Sequence, residues 1–276
     1  MNIRFQLLTL LTILYFSSCQ QSQPEEAEAK EATEINITLE EKKLDEHSPH
    51  CTAGVDSCAH VEVTYFKATG TPTALQDSLN NYIQNLLIRL QLDFDPDANT
   101  LAPAEDPAKK LASSFLQQYD AYATDASKSG FPVRPWELTV NAGLLYKSAS
   151  VLSVKTEQYS NTGGAHPNSS TALQSFDVAG KRLLLSEMVT DTAVLIQQAE
   201  KALRQKFPQL QDKPLAEAGL LLDSDALPLP LNSALSADGL LLHYNPYEIA
   251  PYVFGHIQLL LPYSQLENII KPAYKP

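Results

Sequence analysis

The chain has 276 residues, of which 32 are Asp or Glu and 20 are Lys or Arg, so its formal net charge at pH 7 is −12. This balance argues against nucleic-acid binding, which needs a basic surface, and it is compatible with a basic protein partner. The composition is 44% hydrophobic and 19% charged, which is typical of a globular protein with one or two domains.

The first 18 residues have the features of a bacterial export signal. Arg4 supplies the positive charge, and the apolar segment from Leu7 to Tyr15 is about half the roughly 20 residues that a membrane-spanning helix needs. Phe16-Ser-Ser-Cys19 resembles a lipobox, with Phe where Leu is usual. We therefore predict a lipoprotein signal peptide at residues 1–18 and a lipid on Cys19 that anchors the protein to a membrane. An ordinary cleaved signal with a chance cysteine is the alternative.

Residues 19–46 are polar and acidic, and this composition predicts a disordered tether. Within it, Ile35–Leu39 alternates weakly between apolar and polar residues, which is compatible with a first strand. Export would place the following residues in an oxidising compartment, so we predict a disulfide between Cys51 and Cys58.

Two alternatives to that disulfide stay open. The two thiols could be free, or they could bind a metal, because His47, His50 and His60 flank them. The cysteine spacing matches no structural zinc pattern, so no metal is predicted here.

Residues 47–150 are expected to form an N-terminal α+β subdomain. His60–Phe66 alternates as a strand does, and a helix should follow, with Thr73 as its N-cap and Gln76 returning the capping hydrogen bond. A second helix is predicted to begin at Asp106-Pro107, with Asp as N-cap and Pro in the first position. Trp136–Tyr146 reads as the next strand.

Residues 151–276 are expected to form a C-terminal α+β domain. The predicted elements are strands at Val151–Tyr159 and Ser170–Val178, a helix at Asp191–Phe207, strands at Ala237–Tyr244 and Tyr252–Leu261, and a short helix at Tyr263–Ile270. Strands outnumber helices and lack a regular βαβ alternation. The predicted fold class is therefore α+β, with mainly antiparallel sheets packed with about four helices.

Two stretches carry the candidate ligand-binding residues. The first runs from Tyr159 to Pro167, where the glycine pair allows unusual backbone angles and presents a histidine just beyond a bend. The second runs from Tyr244 to Tyr252, where tyrosines give large contact areas with polar tips. The candidate residues are Tyr159, Asn161, Thr162, Gly163, Gly164, His166, Tyr244, Asn245, Tyr247, Glu248 and Tyr252. For both stretches the alternative is structural: a tight loop in the first case and a rigid corner in the second.

Several runs resemble one known family. Tyr159–His166, Ser175–Lys181 and Tyr244–Gly255 look like parts of the extracytoplasmic domain of the anti-sigma factor RsiV, and they are similar to the non-catalytic N-terminal region of the peptidoglycan deacetylase PdaC. The segment from about Cys58 to Leu92 resembles the companion domain that precedes them. The resemblance implies an α+β sensor or binding module outside the membrane. In RsiV this domain receives lysozyme, whereas this chain lacks the cytoplasmic sigma-binding segment and the spanning helix of RsiV.

The function predicted from these observations is that of a cell-envelope lipoprotein that binds a basic lysozyme-like protein or a peptidoglycan fragment. The alternatives are an envelope hydrolase or deacetylase that uses His166 as general base with Glu248, Asp177 or a tyrosine, and a purely structural lipoprotein. A zinc site assembled from His166, His243 and His256 is a further open possibility. No cofactor, catalytic residue or metal is predicted.

Overall fold

The larger of two β-sheets is built from the first six strands of the chain. The computed structural model describes residues 34–49, 58–98, 106–211, 213–224 and 226–275. The six strands lie in chain order across the sheet, and they are β1 (Asn36–His47), β2 (Ala59–Thr71), β3 (Trp136–Lys147), β4 (Val151–Asn161), β5 (Asn168–Asp177) and β6 (Arg182–Leu183). Every neighbouring pair is antiparallel except β2 and β3, which are parallel.

The parallel pair follows from the two long helices that separate its strands. Parallel neighbours need a crossover connection rather than a tight turn, and helices α1 (Thr73–Leu92) and α2 (Pro107–Lys128) provide it. Both helices pack against β2. They cover one face of the large sheet and form the first hydrophobic core with it.

A smaller sheet follows in the C-terminal part of the chain. It contains three antiparallel strands in the order β7 (Asn232–Leu235), β8 (Gly239–Tyr244) and β9 (Ile257–Pro262). The accompanying helices are α3 (Leu185–Met188), α4 (Thr192–Lys206) and α5 (Tyr263–Leu266), with 3-10 turns at Pro208–Leu210, Tyr252–Phe254 and Pro272–Tyr274. The α+β fold class with mainly antiparallel sheets is confirmed. None of the helices in the described ranges is long and apolar enough to cross a membrane.

The N-cap predicted at Asp106 is confirmed. Asp106 accepts a hydrogen bond from the N–H of Lys109 at 3.1 Å, and Asp191 caps the third predicted helix in the same way. The predicted cap at Thr73 is wrong. The helix begins at Thr73 itself, and the Gln76 side chain accepts instead from the N–H of Gly70 at 2.9 Å.

The predicted tether ends earlier than residue 46, because Asn36–His47 forms β1. This strand is at the sheet edge, and its outer side chains stay in solvent. Charged residues suit such a strand because they discourage pairing with another chain, and they also hide the strand pattern in the sequence. The signal peptide, Cys19, His50 and Cys51 lie outside the described residues, so the lipidation and the Cys51–Cys58 disulfide stay predictions.

Two further elements differ from the sequence expectation. The predicted strand Tyr252–Leu261 begins only at Ile257, because residues 252–254 form a 3-10 turn that ends at Gly255, with φ of +63°. Strand β7 lies just before the predicted strand Ala237–Tyr244, at residues where no strand was predicted.

The predicted boundary between residues 150 and 151 falls in the hairpin that joins β3 to β4. The described residues from 34 onward form one compact unit. Leu152, Val154 and Phe176 complete the first core, whereas Val151 belongs to the second core with α4 and the small sheet. Strand β4 thus contributes to both cores.

Candidate functional site

Residues 162–167 form the hairpin connection between β4 and β5. The Oδ1 atom of Asn161 turns the chain by accepting a hydrogen bond from the N–H of Gly163 at 3.0 Å. Gly163 has φ of +76°, a region that favours glycine, and a methyl group there would be in ordinary contact with Arg134 at 3.6 Å. Gly163 is therefore required for its backbone angle. Gly164 has no such positive φ, so the predicted hinge rests on one glycine.

Residues 245–250 form a tight corner after β8. Asn245 accepts from the N–H of Thr171 at 2.7 Å and donates to its carbonyl oxygen at 3.1 Å. The Glu248 carboxylate accepts from the N–H groups of Asn245 and Leu231, at 2.9 and 3.1 Å. These bonds hold Tyr247 at φ of +69°, which is unusual for a residue other than glycine. Asn245 and Glu248 thus support the corner and tie it to β5.

The loop and the corner converge on a cluster of three exposed or half-buried rings. His166 stacks on Tyr252 with ring centroids 4.1 Å apart, and the Tyr247 ring lies 6.1 Å from His166 and 5.9 Å from Tyr252. We call His166, Tyr247 and Tyr252 the aromatic triad. Tyr252 also donates from its hydroxyl group to the carbonyl oxygen of Pro167 at 3.0 Å, which fixes the loop against the corner.

Hydrogen bonds define the protonation pattern of His166. Its Nδ1 lies 2.9 Å from the carbonyl oxygen of Pro167, which can only accept, so Nδ1 carries the proton. In the neutral ring Nε2 is then an acceptor, and the Tyr247 hydroxyl group donates to it at 3.2 Å. The ring is oriented by both contacts and presents a face to solvent.

Exposed apolar side chains flank the triad. Val253 follows Tyr252 and is 86% exposed, and Leu231, whose N–H is bound by Glu248, is 90% exposed. Tyr247 itself is 55% exposed. Exposed apolar side chains on and near a rigid corner are typical of interaction surfaces rather than of folding requirements.

Other predicted ligand-binding residues lie elsewhere. Tyr244 is fully buried, and its hydroxyl group donates to the carbonyl oxygen of Pro228 at 2.7 Å, so its proposed surface role is wrong. Burial raises the pKa of Tyr244 above its usual range. Thr162 is exposed on the loop, whereas Tyr159 is half-buried and lines a separate cavity.

That cavity has a volume of about 310 Å³ and is lined mainly by polar side chains of β3, β4, β5 and the β8–β9 hairpin. At its wall, Nε2 of His243 lies 3.1 Å from Nδ1 of His256, and Nε2 of His256 lies 2.8 Å from Oγ of Ser169. The sequence singled out both histidines but not Ser169. Only the pairing of β4 with β5 and the long-range contact to His256 reveal the serine.

Burial keeps this histidine pair neutral. His243 is 3% exposed and its Nδ1 has no hydrogen-bond partner. Burial, and secondarily the charge of His256, lower the pKa of His243 to about 4. Burial also lowers the pKa of His256. If Nδ1 of His243 is the nitrogen without a proton, then Nε2 of His243 donates to His256, and His256 donates to Ser169. In this arrangement His256 does not act as a base toward the serine hydroxyl group.

The geometry also bears on the two chemical alternatives for His166. The Glu248 carboxylate is bound by backbone N–H groups of the corner, and Asp177 accepts from the N–H groups of Ala179 and Lys181. Neither carboxylate forms a hydrogen bond with His166. Among the described residues, the ligand atoms of His166, His243 and His256 do not converge into one potential metal site.

Comparisons with known families agree with this fold. Residues 53–169 match the model of the family described as Deacetylase PdaC, and residues 184–264 match that of a protein of unknown function, DUF3298. The loop of the aromatic triad lies in the first region, and its two tyrosines lie in the second. The two matches together support a resemblance to the PdaC/RsiV-like paired-domain family.

Similar proteins span most of this chain. The immunogenic proteins MPB64 of Mycobacterium bovis and MPT64 of Mycobacterium tuberculosis are each 26% identical over 232 residues, which are 80% of this chain and 93% of theirs. A crystal structure of a DUF3298 family protein from Pseudomonas aeruginosa has a TM-score of 0.58 and 21% identity, and covers 87% of this chain and 97% of its own. A DUF3298 member from Bacteroides fragilis has a TM-score of 0.64 and 19% identity, with 86% and 95% covered. These two structures support the fold.

Proposed function

We propose that this paired-domain protein is a lipid-anchored binding protein of the cell envelope and that its ligand contacts the aromatic triad. The observation that carries the proposal is the contact of His166 in the loop with Tyr247 in the corner and with Tyr252 just after it. Two stretches more than 80 residues apart are joined there by ring stacking and hydrogen bonds. The signal sequence and the lipid on Cys19 would place this surface outside the cytoplasm.

The physical form of the surface supports recognition rather than catalysis. Tyrosine and histidine rings offer large contact areas with polar tips and lose little conformational entropy on binding. Because the loop and the corner are already rigid, a ligand would not have to order them. The neighbouring Val253 and Leu231 add apolar area.

A basic, lysozyme-like protein is the ligand we propose first. The net charge of −12 favours encounter with a cationic partner, and the triad would supply short-range contacts. The electrostatic part of such binding should weaken as salt shortens the screening length, from roughly 14 Å near 50 mM to about 6 Å near 300 mM.

The test measures lysozyme binding to the immobilised chain at those two salt concentrations. Wild-type protein should bind more tightly at low salt, and Tyr247→Ala and Tyr252→Ala should each weaken binding by about tenfold or more, as hot-spot tyrosines do. Phe131→Ala is the matched control, because Phe131 is 68% exposed at the end of α2. No binding at low salt would refute the lysozyme proposal, and equal losses with Phe131→Ala would refute the role of the triad.

A peptidoglycan fragment is the second candidate, and the polar cavity favours it. Hydroxyl and amide side chains that include Thr139, Asn141 and Gln158 line that cavity, and such groups suit sugar hydroxyls and N-acetyl groups. A purified disaccharide-peptide should then raise the melting temperature of the wild-type chain. The shift should be lost in Tyr159→Ala and kept in Phe131→Ala. No shift in the wild-type chain, or an equal shift in Tyr159→Ala, would exclude the cavity as its site.

A further inference from the structure

His47, the last residue of β1, lies opposite His60, the second residue of β2, in the antiparallel pair at the edge of the large sheet. The neighbouring pair is joined by the hydrogen bond from the N–H of Ser48 to the carbonyl oxygen of Ala59, at 3.0 Å. In an antiparallel ladder the next pair is then a non-hydrogen-bonded one, where opposite side chains come closest. The two imidazole rings accordingly stack, with centroids 4.3 Å apart and planes inclined by 8°.

Asp45 completes a cluster with these histidines. It precedes His47 by two residues and therefore projects from the same face of β1. Its Oδ1 lies 3.0 Å from Nε2 of His60 and 3.3 Å from Nε2 of His47. One potential ligand atom from each of the three residues lies within 4.8 Å of the others.

These distances fit the ligand shell of a small divalent ion. Zinc is bound at about 2.0–2.1 Å by His nitrogen and carboxylate oxygen, so adjacent ligands are roughly 3.0 Å apart in octahedral and roughly 3.4 Å apart in tetrahedral geometry. The two nitrogen–oxygen distances span that interval. Because the two imidazole rings are nearly parallel and each nitrogen lone pair lies in its ring plane, the rings would have to tilt out of the stack to aim both lone pairs at one ion.

The surroundings of the cluster are acidic. The register places Glu62 opposite Asp45 across the β1–β2 pair and Glu137 beside His60 on β3. Both glutamates are exposed. Carboxylates at this spacing add a modest, salt-sensitive attraction for a cation.

We propose that Asp45, His47 and His60 bind one divalent transition-metal ion, with Zn²⁺ as the representative species. Two imidazole nitrogens and one carboxylate oxygen suit Zn²⁺, Ni²⁺ and Cu²⁺, whereas Mg²⁺ and Ca²⁺ prefer oxygen ligands alone. The site requires neither cysteine. A bound ion would join the edge strand β1 to β2 where the side chains of β1 are largely exposed.

The first experiment is isothermal titration of the full chain, without a polyhistidine tag, with ZnCl₂. One ion per chain should bind, and Cu²⁺ should bind more tightly than Zn²⁺. His47→Gln and His60→Gln should each weaken zinc binding on the order of 100-fold, since a three-ligand site loses one ligand. His166→Gln is the matched control, because His166 is an exposed histidine on a different surface, and it should retain wild-type affinity.

The second experiment measures thermal unfolding with zinc, magnesium or calcium in excess. Zinc should raise the melting temperature of the wild-type and His166→Gln proteins, and it should not raise that of His47→Gln or His60→Gln. Circular dichroism of the variants checks that each one folds.

Three results would overturn the site. Equal zinc affinity in wild-type, His47→Gln and His60→Gln proteins would place the ion elsewhere. Stabilisation by magnesium or calcium equal to that by zinc would reduce the effect to general acidic attraction. A thiolate charge-transfer band with Co²⁺ would assign the metal to cysteine rather than to these three residues.

Discussion

His243 is the residue whose charge should matter most for stability as pH changes. Its pKa is lowered to about 4 in the folded protein, against about 6.5 in an unfolded chain. Between these values the unfolded state binds more protons, so the free energy of unfolding rises with pH. The contribution is complete above pH 6.5 and is lost progressively as pH falls to 4. It amounts to about 3–4 kcal/mol, because the two pKa values differ by about 2.5 units and one pKa unit corresponds to about 1.4 kcal/mol.

The variant His243→Gln should isolate this effect. Urea unfolding between pH 7 and pH 4.5 is expected to show a shallower loss of stability in the variant than in the wild-type chain. His166→Gln, which leaves the buried pair intact, should follow the wild-type curve. Parallel curves for His243→Gln and wild-type protein would show that acid sensitivity comes from other groups.

Gly180 offers a second test at single-residue scale. It turns the chain between β5 and β6 with φ of +79°, and a methyl group there would lie 2.5 Å from the carbonyl oxygen of Ala74 and 2.6 Å from Oγ of Ser78. Gly180→Ala should therefore cost about 3 kcal/mol or more of unfolding free energy, by combining backbone strain with a clash against α1.

Gly130→Ala is the matched control for Gly180→Ala. Gly130 has φ of +73° but nothing within 4 Å of the added methyl group, so only the backbone term of about 1 kcal/mol remains. Chemical denaturation of both variants gives the comparison. Equal losses would mean that the turn moves away from α1 at little cost.

At the scale of elements, two asparagine side chains form the backbone hydrogen bonds of strand residues that have no neighbouring strand on one side. β2 pairs with β3 only over residues 59–64, and beyond that point Asn80 of α1 accepts from the N–H of Ala68 and donates to its carbonyl oxygen. β5 pairs with β6 only at Ser175 and Phe176. Farther along β5, Asn245 accepts from the N–H of Thr171 and donates to its carbonyl oxygen. Each amide replaces one residue of a missing neighbouring strand.

Removing the Asn245 amide should loosen the corner that positions Tyr247 of the aromatic triad. Asn245→Ala leaves the buried N–H and carbonyl group of Thr171 without partners, at a cost of about 2 kcal/mol. Urea unfolding should show this loss, and the exposed Asn168 provides a control in Asn168→Ala with a change within about 0.5 kcal/mol. If ligand binding at the triad falls in Asn245→Ala while Tyr247 is intact, the corner positions the ring. A wild-type unfolding midpoint would show that water satisfies Thr171 equally well.

The elements that the sequence predicts well are those specified by neighbouring residues. The cap at Asp106, the β3–β4 hairpin and the third long helix all depend on contacts a few residues apart. β1 was missed over most of its length because an edge strand keeps polar side chains, and its strand character comes from pairing with β2. The parallel β2–β3 pair depends on packing of α1 and α2, which no local pattern encodes.

The same distinction explains the outcome at the candidate site. The loop and the corner were each predicted as a turn with exposed polar groups, but their meeting depends on the Asn245–Thr171 bridge, whose partners are 74 residues apart. Tyr244 alternates along β8 as a surface residue could, and only the second core shows that it is buried. The residues of the aromatic triad were predicted, whereas their arrangement required tertiary structure.

At the scale of the whole molecule, the large sheet continues across residue 150 and contributes to both cores. The first core contains residues of β1–β3, α1 and α2, and it is closed by Leu152, Val154 and Phe176 from beyond residue 150. Separation of the chain at that point would leave Leu138 and Val140 of β3 without their β4 neighbours. A single cooperative unit is expected in consequence.

Expression of residues 33–150 and 151–276 as separate fragments tests this expectation. Each fragment should lack a cooperative thermal transition, because each has lost a strand neighbour and part of a hydrophobic core. The covalently intact chain should unfold in one transition by both far-UV circular dichroism and Trp136 fluorescence. Cleavage of the chain in the β3–β4 hairpin should abolish this single unfolding transition. Cleavage in the 216–219 turn should preserve it, since that turn lies outside the large sheet. Two separate transitions in the intact chain, or a folded 33–150 fragment, would show that the segments before and after residue 150 are autonomous domains. The contribution of β4 to both cores would then add little to stability.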